Sequence, residues 1–203
     1  MSFPRIETVT GSQLTPHLGD LARLRITVFR AFPYLYEGDE AYEREYLATY
    51  AKTPGAAVIL ARDDERVIGA ATCLPLAAET ENVKTPFRAR GLDPARFFYF
   101  GESVLLPRYR GQGIGVAFFA AREAHAMRVS DADFATFCAV IRPPDHQARP
   151  ADHVPLDAFW RKRGYAPSPT LSCTMRWREV GAAAESEHRL GFWMKSLRGA
   201  PLP

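Results

Sequence analysis

Three glycines in five residues, Gly111-Gln112-Gly113-Ile114-Gly115, separate an apolar run of strand length, Phe97 to Leu106, from a helical stretch that begins at Val116. Glycine lets the backbone turn tightly and lets a ligand come close to the main chain. The free N–H groups at a helix start, with the helix dipole behind them, favour an anion. Arg110 adds a guanidinium that can make two bonds to one phosphate. The segment therefore predicts a phosphate or pyrophosphate cradle; a ligand-free turn is the plainer alternative. Two familiar phosphate loops are excluded. A P-loop needs Lys and then Ser or Thr after its last glycine, and neither follows Gly115. The dinucleotide fingerprint needs a third glycine where Val116 stands.

The rest of the chain supplies the elements around this loop. Ser12 to Arg30 reads as a helix with Ser12 as N-cap and Leu14, Leu18, Leu21, Leu24 (or Arg25) and Val28 on one face. Phe32-Pro33 ends it. Asp39 can cap a second helix to about Lys52, with Tyr42, Tyr46, Leu47 and Tyr50 facing inward. Ala56 to Arg62 and Val67 to Leu74 read as a hairpin across Asp63-Asp64-Glu65-Arg66. The polar stretch Leu76 to Ala95 leaves room for a short helix. After the helix from Val116 to about Arg128 come a strand, Phe134 to Ile141, and a proline-rich loop. Pro155 opens a short helix closed by Gly164. Strands Thr170 to Glu179 and Arg189 to Leu197 finish the chain. One strand–loop–helix unit inside a mainly antiparallel sheet flanked by helices points to an α/β (α+β) fold in one domain, residues 1–203.

Composition narrows the function classes. Hydrophobic residues at 47% and charged residues at 24% are those of a globular chain, not a disordered or fibrous one. A net charge of +3, scattered along the chain, does not predict nucleic-acid binding. The longest apolar runs fall far short of the ~20 residues of a membrane span, and Met1-Ser2-Phe3-Pro4-Arg5 opens no secretory signal. Cys73, Cys138 and Cys173 fit neither a disulfide framework nor a paired-cysteine metal site, so they read as reduced thiols of a cytoplasmic protein.

Leu105-Leu106-Pro107-Arg108-Tyr109-Arg110-Gly111-Gln112-Gly113-Ile114-Gly115 resembles motif A of the GNAT superfamily of acyl-CoA-dependent N-acetyltransferases. Its core is [R/Q]-x-x-G-x-[G/A], matched by Arg110, Gly113 and Gly115. The order of elements resembles the GNAT order along nearly the whole chain, and Phe159-Trp160-Arg161-Lys162-Arg163-Gly164-Tyr165 looks like the family's F-Y-x-x-x-G-F segment. The resemblance implies acetyl-CoA as donor, with its pyrophosphate on Arg110, Gly111, Gln112, Gly113, Ile114 and Gly115. It places the pantetheine arm along the strand at Val104 and Leu105, where this strand and the next splay apart. An amine of a small molecule or peptide would then attack the thioester directly in a ternary complex. A non-catalytic acyl-CoA-binding regulatory module is the alternative.

The amine must lose a proton and the departing thiolate must gain one. Glu102, three residues before Leu105, matches a glutamate that some family members use as a base, often through water. A carboxylate stripped of water on an aromatic strand is a stronger base; pairing with a neighbouring arginine is the structural alternative. The family often protonates the thiolate with a tyrosine, and here that position is Trp160. An indole N–H can donate a hydrogen bond but does not release its proton near neutral pH, so Trp160 is expected to pack. Tyr165 stands at the family's phenylalanine position. Cys138 and His125 are expected to be structural, and Asp145-His146 and Asp152-His153 lack metal-site spacing, so no metal is expected. For the acceptor, Tyr34, Tyr36 and Asp39 (with Glu37) could grip a cationic amine, and Arg142 a carboxylate; a solvated loop explains the same residues. Phe192 and Trp193 on a terminal strand offer an edge for a homodimer.

Overall fold

The computed structural model describes residues 3–203, and its first element is one that the sequence pattern hides. Strand β1 (Arg5–Val9) buries only Val9 fully, so it lacks the apolar alternation by which strands are recognised. The next stretch is not one helix from Ser12. Gly11–His17 is a 3₁₀ turn containing Pro16, and α1 runs over Leu18–Phe29. Proline has no N–H for an α-helical ladder. Thr10, not Ser12, heads the turn, its N–H donated to the Gln13 side chain at 3.3 Å. Asp39 caps α2 (Glu40–Lys52) as expected, accepting the Tyr42 N–H at 2.9 Å. The inward face of α2 is Glu43, Tyr46, Leu47 and Tyr50, at helical spacing. Tyr42 is 61% exposed, which corrects its expected inward position; the acidic Glu43 takes that face instead.

The hairpin forms as expected from β2 (Ala57–Asp63) and β3 (Arg66–Pro75). Helix α3 (Glu81–Arg88) occupies the polar stretch that follows. β4 (Phe97–Leu105) leads through the glycine loop into α4 (Ile114–Val129), and β5 (Phe134–Val140) returns parallel to β4. After α5 (Asp157–Arg161), β6 (Ala166–Arg178) and β7 (Glu185–Ser196) form a long antiparallel hairpin. β6 starts before Thr170 although it contains Pro167, because an edge strand tolerates a missing N–H.

Among the described residues the strands make one seven-stranded sheet in the order β1-β2-β3-β4-β5-β7-β6, antiparallel except at β4–β5. This is the expected fold class. The expected dimer edge is corrected, because β6 folds back outside β7. Phe192 and Trp193 lie inside the sheet, 0% and 6% exposed. Both faces of the sheet are covered, so β4 reads as a continuous apolar run. Phe97 and Tyr99 point to the side of α1–α3, and Phe98 and Phe100 to the side of α4 and α5.

Two irregularities of β4 shape the site. It shares only three rungs with β5, Phe97–Tyr99 against Phe134–Thr136, and beyond them no pairing continues. Its register with β3 slips between Ala71 and Cys73, so Gly101 and Glu102 together face Thr72 in a bulge. A Cβ on Gly101 would lie 2.5 Å from the Thr72 hydroxyl and 2.7 Å from that of Tyr50, so any side chain there would displace both hydroxyls.

Candidate active site

The loop from β4 to α4 has the backbone of an anion cradle. Gly111 and Gly113 have φ of +76° and +85°, left-handed values that glycine adopts without strain. Such turns aim successive amides into one concavity, which suits an anion. Among the described residues, the N–H groups of Gly111, Gln112, Gly113, Ile114 and Gly115 donate to no protein acceptor. The helix ladder begins just after them: Val116 and Ala117 bond to the Gly113 carbonyl at 3.0 and 3.1 Å. Arg110 is exposed at the loop, its Nε donating to the Leu105 carbonyl at 3.4 Å. The Gln112 side chain donates to the Arg108 carbonyl at 3.0 Å. The side chains of Val104 and Ile114 are buried in the core, leaving only their backbones to face a ligand.

On the α1–α2 side of β4, Glu102 stands in a closed network. Its N–H donates to Thr72 Oγ1 at 3.1 Å, and that hydroxyl donates to Tyr50 Oη at 3.3 Å. Tyr50 and Tyr46 hydroxyls meet at 3.0 Å, and Tyr46 Oη donates to Glu102 Oε2 at 3.5 Å. Arg25 of α1 ion-pairs with both Glu102 and Glu43 and lies 4.5 Å from the Tyr46 ring centroid. Burial alone would lower the Arg25 pKa; Glu102, Tyr46 and Glu43 outweigh it and raise it. Desolvation holds Tyr46 and Tyr50 well above the usual phenol range, so both stay protonated at neutral pH. Burial also raises the nearby Glu79 carboxyl, and the charge of Glu102 adds to that. One guanidinium thus serves two carboxylates, with a third close by.

Of the residues expected at the acceptor, Tyr34 and Tyr36 lie beside this network. The Tyr34 ring packs 4.6 Å from Phe29 and 5.8 Å from Trp177, centroid to centroid. Arg142 holds the loop: its Nε donates to the Pro33 carbonyl at 2.7 Å and its Nη2 to that of Tyr34 at 3.0 Å, and it pairs with Glu179 at 2.6 Å. Tyr36 bridges to Glu179 through the backbone, and its phenol is raised by burial and by Glu43 beside it. Asp39 is occupied as the α2 cap. A groove of about 420 Å³ beside α1, lined by Asp20, Arg23, Thr27, Arg66 and Leu106 among others, opens next to the end of β4.

On the opposite face Trp160 packs as expected, 5.1 Å from Phe137 and 5.0 Å from Trp193 between ring centroids. It is half-buried. Trp160→Ala should therefore cost less than the ~3–5 kcal/mol of a fully buried ring, about 2 kcal/mol. In a chain of this size that is a fall of about 4–8 °C in Tm. A melting curve that does not move would show that the ring is no part of the core. Tyr165 is buried, and its hydroxyl donates to Glu123 at 3.0 Å, turned to that carboxylate. His125 is structural, its ring bonded to the Gly55 carbonyl and to Arg128, each at 2.9 Å. Cys138 is buried, 3.1 Å from the Tyr99 hydroxyl.

The model of the acetyltransferase (GNAT) family matches residues 22–165, most of the chain and the elements from α1 to the end of α5. The chain belongs to the GNAT acetyltransferase family. Solved GNAT-like structures share its fold across nearly their whole lengths. A ribosomal-protein-alanine N-acetyltransferase from Brucella melitensis is 16% identical with a TM-score of 0.59, covering 95% of this chain and 99% of that one. An N-acetyltransferase from Staphylococcus aureus is 11% identical, TM-score 0.60, covering 96% and 99%. A Salmonella typhimurium protein described as a candidate acetyltransferase, solved with its cofactor acetyl-CoA, is 12% identical, TM-score 0.60, covering 98% and 97%. No curated protein matches the sequence.

Within this GNAT domain the motif residues are the ones the sequence makes visible. Arg25, Glu43, Tyr46, Tyr50, Thr72 and Arg122 belong to no motif. Arg25 left one signal: it falls on or beside the apolar face of its helix, where a charge needs a buried partner.

Proposed function

We propose that this GNAT chain transfers an acetyl group from acetyl-CoA to the amine of a cationic small molecule or peptide, by direct attack in a ternary complex. The observation that carries the reading is the run of partnerless amides at Gly111–Gly115, set where β4 parts from β5. These amides and Arg110 fit a pyrophosphate, and the unpaired end of β4 at Val104 and Leu105 fits an extended pantetheine arm. The donor supplies an acyl group already activated as a thioester. The chain's residues orient the donor and receive the acceptor's proton.

Across β4, the Glu102–Glu43–Arg25 cluster has more carboxylates than cations, which favours an ammonium acceptor. Glu102 is our candidate base, acting through water because Arg25 occupies one of its oxygens. Tyr34, Tyr36 and Asp39 wall the acceptor side; Arg142, engaged with Glu179, acts there by holding the loop. Three buried, free cysteines support a cytoplasmic setting. Among the described residues no helix is long and apolar enough to cross a membrane, and no group of three or more His, Cys, Asp or Glu is placed to hold a metal.

A second reading, a regulatory acyl-CoA-binding module, draws on Trp160 at the tyrosine position and on Tyr165 turned to Glu123. Thiol release from acetyl-CoA, measured across a panel of di- and polyamines, amino-terminal peptides and neutral amines, separates the two. Release with cationic amines is expected. Coenzyme A binding without release on any amine would favour the regulatory module.

A further inference from the structure

Acetyl transfer leaves a thiolate behind; the Trp160 indole does not release its proton near neutral pH, and the Tyr165 phenol is engaged with Glu123. A different residue stands near the opening. Arg122, in the middle of α4, is 2% exposed. Its Nε donates to the Phe118 carbonyl and its Nη1 to the Glu102 carbonyl, each at 3.3 Å. The guanidinium carbon stands 4.5 Å from the Phe100 ring centroid and 4.7 Å from that of Phe119. Phe100 is the first residue of β4 past its rungs with β5, and Phe119 touches Phe137 of β5 and Phe159 of α5. The guanidinium therefore packs against the stretch of β4 where its pairing with β5 stops.

No carboxylate forms an ion pair with it among the described residues. The groups that face it are Cys73 on β3, Glu102 on β4, Glu123 on its own helix and Tyr165 after α5. Burial pushes the Cys73 thiol up to about 12 and raises the Tyr165 phenol too, so both are neutral near pH 7. The Glu102 carboxylate is paired with Arg25, and Glu123 with Lys195 at 2.7 Å. Arg122 forms no ion pair of its own among the described residues, and a guanidinium stays protonated even when burial lowers its pKa. A buried cation without a counter-ion is costly to keep.

Given acetyl transfer as the activity, we propose that Arg122 receives the coenzyme A thiolate, its guanidinium stabilising the charge that grows on sulfur as the acyl group leaves. The neutral amine nitrogen bonds to the thioester carbonyl carbon. The carbon–sulfur bond then breaks, and its electron pair stays on sulfur beside Arg122. The proton lost by the amine passes through water to Glu102 and on to solvent, and the thiolate departs or takes a proton from water. A fixed cation in a water-poor site stabilises such charge far better than solvent does. It does so without a proton to give.

The test is the titration of coenzyme A bound to the unmodified protein, followed by thiolate absorbance in the ultraviolet. A cation beside the sulfur should lower the bound thiol's pKa by about 1–3 units. Coenzyme A should then bind about 10- to 1000-fold more tightly once pH passes from below the bound pKa to above the free one, while desulfo-coenzyme A shows no such change. In Arg122→Gln the shift should vanish with desulfo-coenzyme A affinity retained, and Arg122→Lys should restore part of it. A bound thiol that titrates at its free value in the unmodified protein overturns the proposal, whether or not either variant folds. If coenzyme A itself fails to bind, the acetyl-transfer reading falls, and the role of Arg122 with it.

Discussion

Turnover of a Glu102→Gln variant should fall by about 10²–10⁴-fold with the best acceptor, the range a general base contributes. Glutamine keeps the shape and can still accept from Tyr46. What it loses is the capacity to take a proton. The loss should shrink as pH rises, because more of the amine is then already neutral. Coenzyme A affinity should hardly change, since the proposed cradle is Arg110 and the Gly111–Gly115 amides, not Glu102. A purely structural carboxylate behaves otherwise. Its removal leaves Arg25 with Glu43 alone, lowers Tm, and leaves the shape of the pH–rate profile intact. An unaltered rate and an unaltered profile would remove Glu102 from the chemistry.

Gly113→Val should weaken coenzyme A binding by roughly 10²-fold, the equivalent of about one or two charge-assisted amide bonds. Crowding inside the protein is not the cause: a Cβ there would meet only Phe3, at 3.7 Å. The cause is the backbone. At φ +85° a β-branched residue is strained, and relaxing toward negative φ swings the flanking amides away from their common focus. A loop whose strain is local should still leave a folded domain. Calorimetric titration of a folded Gly113→Val variant with coenzyme A is decisive, because unchanged affinity would take the pyrophosphate away from this loop.

The parts legible in the sequence are those with a local signature. The glycine loop, the hairpin across Asp63–Arg66 and the Asp39 cap each need particular residues at particular spacings, and each stands where those spacings put it. β1 is illegible because a five-residue edge strand with one buried side chain has almost no periodicity. The sequence pattern puts β7 at the margin of the sheet because nothing local says on which side a returning strand will pair. In the site, Glu102 is visible from its strand, but its partners come from α1, α2 and β3. Arg25, Tyr46 and Thr72 lie 77, 56 and 30 positions away, and only the folded sheet brings them together. Glu43 looks like any surface glutamate until its arginine is in view.

The three rungs between β4 and β5 have a mechanical meaning. Strands β1–β4 form one leaf and β5–β7–β6 another, stitched by those rungs and by the side chains of α4 and α5. The loop held by Arg142 fastens the wall between α1 and α2 to the second leaf, while Arg25 fastens α1 to the first. An extended molecule lying along the free edge of β4 would stand in for the rungs the strand gives up. The donor would then serve as a spine joining the leaves, and the distance between the proposed acceptor wall and the carboxylate network would be set in part by the very molecule about to react.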